Sequence, residues 1–257
     1  MASDEEKCMS ACKCAVAALL NSARARAIME GAPLELEIRL GRFGVDGFFP
    51  DLGKDVFQNV LQLLESYPHW QSVVPWTETM DVFYQVRVKD RATPLTIRTS
   101  AGGGSGASLE VTHCAKERVG IVDMRLAGSE TFGARAAAAV ERPVRPEEVP
   151  VAVRPHLVRI KARKRFLLAS RGVERDAFAI DMTVVYDGKS KSEAEAKQRA
   201  GDGAGASYEL EVECLDVEGY LESCNGDASV LALSLIAKAL DFPRALEPGR
   251  SLYYMPR

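Results

Sequence analysis

The sequence predicts a mainly β, α+β protein: about eight strands in one antiparallel sheet, a number that can close into a barrel, with a few helices outside it. Three observations predict this. Eight segments alternate apolar and polar residues with the period of two that a strand imposes. They follow one another through turns, with few helices between. Helical periodicity is confined to residues 4–30, 52–67 and 227–242.

Taken in chain order, residues 4–30 open on an acidic turn, are rich in Ala, Leu and Met, and end before a glycine, which is a helix pattern. "LELEIRLG" (34–41) alternates as a strand. "LGKDVFQNVLQLLESY" (52–67) returns to helical spacing. Strands follow at "TMDVFYQVRV" (79–88), "LTIRTS" (95–100), "LEVTHCAKERV" (109–119), "GARAAAAVE" (133–141), "VRIKARKRFLL" (158–168), "AFAIDMTVVY" (177–186) and "YELEVECL" (208–215). "GIVDMRLA" (120–127) is a ninth strand or an extension of its predecessor. "DASVLALSLIAKALDF" (227–242) opens on an Asp cap and is expected to stop before Pro243. "AGGGSGAS" (101–108) and the polar, Gly-rich stretch 187–207 read as mobile connectors. The whole of 1–257 reads as a single domain.

Composition narrows the classes. The chain has 257 residues, 47% hydrophobic and 27% charged, with a net charge of −3 that by itself excludes no partner. No apolar run approaches the roughly 20 residues that span a bilayer, and "MASDEEKCMS" lacks the order of a signal peptide, so neither membrane insertion nor secretion is expected. Six scattered cysteines read as reduced thiols. Cys8, Cys12 and Cys14 have no second Cys/His cluster to complete a zinc finger and read as helix cysteines. His69, His113 and His156 are isolated and read as non-catalytic. There is no Cys-x5-Arg phosphatase loop and no Walker loop.

The alternation then becomes chemical. Leu34, Leu36, Ile38 and Leu40 form one face of their strand, and Glu35, Glu37 and Arg39 the other. Glu209, Glu211 and Glu213 line up likewise, as do Arg159, Lys161, Arg163 and Arg165. Arg135 and Glu141 share a face, and Asp181 and Thr183 lie opposite Ile180, Met182 and Val184. An amphipathic sheet with its ionic side in water explains any one strand. It explains the set poorly. Like charges about 7 Å apart repel by roughly 2 kcal/mol at an effective dielectric near 20, and segregation by sign makes sense if acids hold a cation and bases hold a polyanion. With the ionic faces inward the barrel has a charged lumen, and its apolar exterior needs the helices as cover.

"LELEIRLG", "RIKARKR", "FAIDMTVVY" and "YELEVEC", in that order over about residues 34–215, resemble the motifs of the fungal and protozoal metal-dependent RNA 5′-triphosphatases of mRNA capping, within the triphosphate tunnel metalloenzymes. The small size looks most like the compact kinetoplastid enzymes. The resemblance implies an eight-stranded tunnel that removes the γ-phosphate of 5′-triphosphate RNA, and also hydrolyses NTPs with manganese. It implies Glu35, Glu37 and Glu213 as ligands of manganese or magnesium, and Arg98, Lys116, Arg159, Lys161 and Arg163 as the phosphate grip. Glu141 would position the attacking water, with Glu130 as competitor, and Arg118 competes with Lys116. Arg39, Arg135, Asp181, Thr183, Glu209 and Glu211 would support these groups, and Arg165 is an additional base. It further implies a nuclear location, a possible guanylyltransferase partner and no DNA substrate. A monomer is expected. Two alternatives stay open. One is an inorganic tripolyphosphatase or thiamine triphosphatase of the same superfamily, disfavoured because Arg39 replaces the lysine of their Glu-x-Glu-x-Lys motif. The other is a non-catalytic phosphate- or RNA-binding barrel.

Overall fold

The structure is a computed structural model that describes residues 4–87, 95–102, 110–125, 132–149, 153–170, 173–201, 203 and 205–246. In chain order the elements are α1 (Asp4–Glu30), β1 (Leu34–Gly44), β2 (Gly47–Phe49), α2 (Lys54–Ser66), β3 (Ser72–Val86), β4 (Leu95–Gly102), β5 (Glu110–Arg125), β6 (Gly133–Pro143), β7 (Leu157–Ser170), β8 (Val173–Gly188), α3 (Lys191–Ala200), β9 (Ala206–Cys214), α4 (Val217–Ser223) and α5 (Ala228–Ala245).

Eight strands close into an antiparallel barrel in the order β1-β6-β5-β4-β3-β7-β8-β9, with β9 pairing back to β1 from Leu36↔Cys214 to Leu40↔Leu210. β2 is a ninth strand that folds back on the end of β1 as a hairpin. The apolar faces point outward. Leu36, Ile38, Leu40, Ile180, Met182, Leu210 and Val212 are buried in a core shared with the helices. Helix α1 contributes a stripe at Val16, Leu20, Ala23 and Ala27, spaced as one face of a helix requires. The alanines of β6 have a use on each side. Ala134, Ala136 and Ala138 face outward, where small side chains let α1 approach. Ala137 and Ala139 face inward opposite Glu37 and Glu35, so no bulk competes with those carboxylates.

The structure corrects several sequence readings. The 187–207 stretch contains α3, because Ser190 accepts a hydrogen bond from the Glu193 N–H and Ala194 is wholly buried against β7 and β8. Of the two readings of "GIVDMRLA", the extension holds: its described part, 120–125, continues β5, and a bulge between Arg118 and Gly120 resets the alternation. β3 begins at Ser72, seven residues earlier than its alternation suggests, with a bulge between Val74 and Thr77. α5 runs on to Ala245 with Pro243 in its last turn, and α2 is trimmed to 54–66. Helix α4, capped by Asp216, was not anticipated. Of the 101–108 connector, Ala101 and Gly102 end β4 and the rest lies outside the described residues. Among the described residues, no helix is long and apolar enough to cross a membrane.

Two glycines shape one end of the barrel. A Cβ at Gly133 would overlap the Phe43 ring, and one at Gly41 would overlap the Phe48 ring and the Phe49 carbonyl. Gly133→Ala is therefore expected to cost about 1–3 kcal/mol by overpacking, read as a lower urea midpoint at unchanged slope.

Candidate active site

The residues with inward parity on each strand form the tunnel wall. Pairing of β1 with β9 brings the two acidic strands together, with Glu37 the direct cross-strand partner of Glu213 and Arg39 that of Glu211. On β7, Arg159, Lys161, Arg163 and Arg165 form a basic stripe separated from β9 only by β8. Arg98 on β4 and Lys116 on β5 complete the cationic side. The charged side chains expected to share a site do face one tunnel. Glu130 lies outside the described residues.

Every one of these bases is engaged. Arg39 spans Glu37 at 3.0 Å and Glu211 at 2.8 Å. Lys116 pairs with Glu35 and lies 3.9 Å from Glu141, whose Oε1 also accepts from Arg98 at 3.2 Å. Arg159 holds Asp187 at 2.8 Å and Glu209 at 2.6 Å. Arg165 donates twice to Asp181, at 2.7 Å each, and reaches Glu213 at 2.9 Å; Arg163 meets the same Asp181 at 3.0 Å. Lys161 lies 2.5 Å from Asp81. Arg118 stays a β5 neighbour of Ala139, whereas Lys116 is the register partner of Glu141, so geometry favours Lys116. Arg135 shares the face of Glu141 but is held by Asp123 at 2.6 Å, nearer the end of the barrel where β1 runs out.

Asp81, Asp123 and Asp187 were missed by the sequence reading. Asp81 is the most consequential, being buried and bonded to Lys161. Its signal was an isolated acid at an inward position of "TMDVFYQV", which no neighbouring charge emphasised.

The electrostatics of the two acidic strands differ. Burial disfavours charge on Glu211, but Arg39, with Arg163, Lys161 and Lys116, outweighs it and holds that carboxyl down at about 2. Burial pushes Glu213 up to about 7; Arg165 counters it, while Asp181, Glu35 and Glu211 add to the rise. Glu37 is raised too, by burial and then by Glu211. Burial also lowers Lys161, against the attraction of Asp81 and with the repulsion of Arg159 and Arg163.

Among the described residues, no three His, Cys, Asp or Glu side chains converge as they would on a metal, because Lys116, Arg39 and Arg165 each hold one of Glu35, Glu37 and Glu213. The donor chemistry nevertheless fits a hard divalent cation: the donors are all carboxylate oxygens, and burial and acidic neighbours oppose ionisation of Glu37 and Glu213, which a cation there would relieve.

Comparison with known proteins bears on the fold. No family model matches the chain, and no curated protein matches its sequence. Among solved structures, the S. pombe Pct1 RNA triphosphatase superposes with a TM-score of 0.59 at 17% identity, over 98% of this chain and 95% of that one. Its complex with the Spt5 CTD gives a TM-score of 0.60 at 17% identity, over 93% and 94%. The mimivirus capping enzyme triphosphatase gives 0.51 at 12% identity, over 86% and 95%. The chain has the triphosphate tunnel fold expected of it.

A raised carboxyl has a signed consequence. The stability Glu213 contributes is complete below its ordinary value of 4.5 and is lost as pH rises through about 7. In EDTA, the urea midpoint of the unmodified protein is expected to fall more between pH 5 and pH 8 than that of Glu213→Gln. Parallel slopes for the two proteins would refute this.

Proposed function

We propose that the chain is a divalent-metal-dependent RNA 5′-triphosphatase, which removes the γ-phosphate of 5′-triphosphate RNA to leave a 5′-diphosphate end, the first step of mRNA capping. The observation that most supports this reading is a wall of five carboxylates on β1 and β9, interrupted only by Arg39, facing the cations of β4, β5 and β7 inside one closed tunnel. The activity of the proteins sharing the fold points the same way.

Phosphoryl transfer to water requires positioning and charge neutralisation more than covalent chemistry. Arg98, Lys116, Arg159, Lys161 and Arg163 neutralise the polyphosphate. Each is already bonded to a carboxylate of another strand: Lys161, Arg163 and Arg159 to the adjacent β3 or β8, and Arg98 and Lys116 to strands two places away, with Arg163 sharing Asp181 with Arg165. Substrate binding therefore exchanges protein carboxylate oxygens for phosphate oxygens around cations that already point into the tunnel. Glu141 stands between Arg98 and Lys116, and its free lone pairs orient the water for in-line attack. Asp181 on β8 keeps the basic stripe in place through Arg163 and Arg165, and Thr183, the register partner of Arg163, is a supporting position whose buried hydroxyl has no partner among the described residues. A magnesium or manganese ion held by Glu35, Glu37 and Glu213 would add charge neutralisation at the terminal phosphate. In this reading NTPs and tripolyphosphate are secondary substrates, the protein works in the nucleus, and an RNA guanylyltransferase consumes its product.

The test is release of terminal phosphate from 5′-triphosphate RNA with EDTA, magnesium or manganese. Metal-dependent release is expected, and Glu37→Ala, Glu213→Ala and Lys161→Ala should each lower kcat by about 10²–10³, the scale of losing one transition-state contact. Release from tripolyphosphate but not RNA would move the protein to the tripolyphosphatase reading. RNA binding without release from either would favour the non-catalytic barrel.

A further inference from the structure

The two ends of the tunnel are built differently, and we propose that the end at which β1 runs out is a binding site for the first nucleotides of single-stranded RNA behind the triphosphate. The proposal rests on the triphosphatase reading above and adds which mouth the RNA body occupies and what distinguishes RNA from a bare polyphosphate.

Phe43 and Phe48 are direct partners in the β1–β2 hairpin, with ring centroids 5.2 Å apart. Phe43 has the inward parity of Glu35, Glu37 and Arg39, and Gly41 and Gly133, whose missing Cβ atoms make room for the two rings, are inward positions of β1 and β6. Both rings thus lie on the inner wall. Each is only partly buried. Cations border them: the Arg135 guanidinium lies 4.8 Å from the Phe48 centroid and the Arg125 guanidinium 5.7 Å from that of Phe43.

Strand order places β3 directly across the ring from β1, with three strands between them on either side, and alternating strand sense puts the late part of both at the same end. Phe83, on the late part of β3, has inward parity as the direct register partner of Arg98, and His156 packs on it at 6.3 Å with its Nδ1 on the Phe83 carbonyl. The aromatic pair of this mouth is therefore Phe43 and Phe48. Among the described residues, the inward positions that the register gives toward the other end are Arg163, Arg165, Thr77, Glu141 and Glu213, none of them aromatic.

The two arginines divide the work. Asp123 holds Arg135 with two hydrogen bonds, 2.6 and 2.9 Å, so its charge is spent on keeping the Phe48 ring in place. Arg125 is exposed and, among the described residues, has no carboxylate partner, so it is available to a phosphodiester. Rings on which a base can stack, beside a free guanidinium, are what sequence-tolerant single-strand binding uses. Tripolyphosphate has no base to stack. It would gain nothing from these rings.

The experiment compares the unmodified protein with Phe48→Leu, Phe48→Tyr and Arg125→Gln. The probes are inorganic tripolyphosphate and a 5′-triphosphate RNA carrying 2-aminopurine near its 5′ end. Phe48→Leu is expected to lower the ratio of kcat/KM for RNA to that for tripolyphosphate by about 5- to 100-fold, the range for loss of one stacked base, and to weaken 2-aminopurine quenching on binding. Phe48→Tyr, which keeps the ring, should restore both, and Arg125→Gln should reduce the salt dependence of RNA binding. An unchanged ratio with full quenching in Phe48→Leu would overturn the proposal and leave the rings as packing of the barrel end. If the unmodified protein hydrolyses neither probe, the triphosphatase reading fails by itself, and the quenching comparison alone then supports or overturns the binding site.

Discussion

The pairing of β9 with β1 is the constraint on which the rest of the molecule depends. It closes the barrel, and in the same five-residue register it sets Glu37 beside Glu213 and Arg39 beside Glu211. Paired the other way round, the two strands would turn these charges into the helix-covered core, where unpaired ions are ruinous. Closure and electrostatics are thus one event. A sheet left open at this seam would put each acidic strand at an edge.

Inside the tunnel, charges of one sign are strung along a strand and neutralised from other strands across the lumen as well as beside it. Glu211 shows the principle in its strongest form, drawing on bases from β1, β5 and β7. Asp181 does the same between Arg163 and Arg165. Networks of this kind add little net stability, because desolvation offsets most of the attraction. Their value lies in orientation. Cations pinned by carboxylates point into the tunnel with fixed geometry. The balance is incomplete at Glu37 and Glu213, where burial and acidic neighbours still oppose ionisation, and these are the two positions where a cation would relieve the most.

Much of this was legible in the sequence because alternation is a backbone property that long strands cannot hide. The existence of the eight barrel strands, and the ionic and apolar faces of β1, β6, β7, β8 and β9, follow from spacing. Motif resemblance then indicated which face is inside. What escaped had physical causes. The bulge at Arg118 to Gly120 made β5 look like two segments, since one extra residue inverts the pattern. Helix α3 carries a Ser190 cap and a Glu193 three residues later, but only Ala194 on its buried face, so it resembled a polar linker. Asp81 lacked a patterned neighbour, and its partner Lys161 lies 80 residues away, a proximity that only the β3–β7 register creates.

The helical cover has a consequence in time. Helix α1, from the start of the chain, packs against α5, near its far end, just as β1 waits for β9. A barrel with its apolar side outward cannot hide Leu36, Ile38 and Leu40 until both partners exist. Contacts of such sequence separation make folding slow, because loop closure precedes the contacts that reward it. During synthesis the β1 edge stays unpaired for roughly 10–35 s, the time that about 5–20 residues per second takes to reach β9. Throughout that interval the nascent chain presents an apolar strand and an acidic one in the same segment, and shielding that segment from other chains falls to whatever meets it at the ribosome.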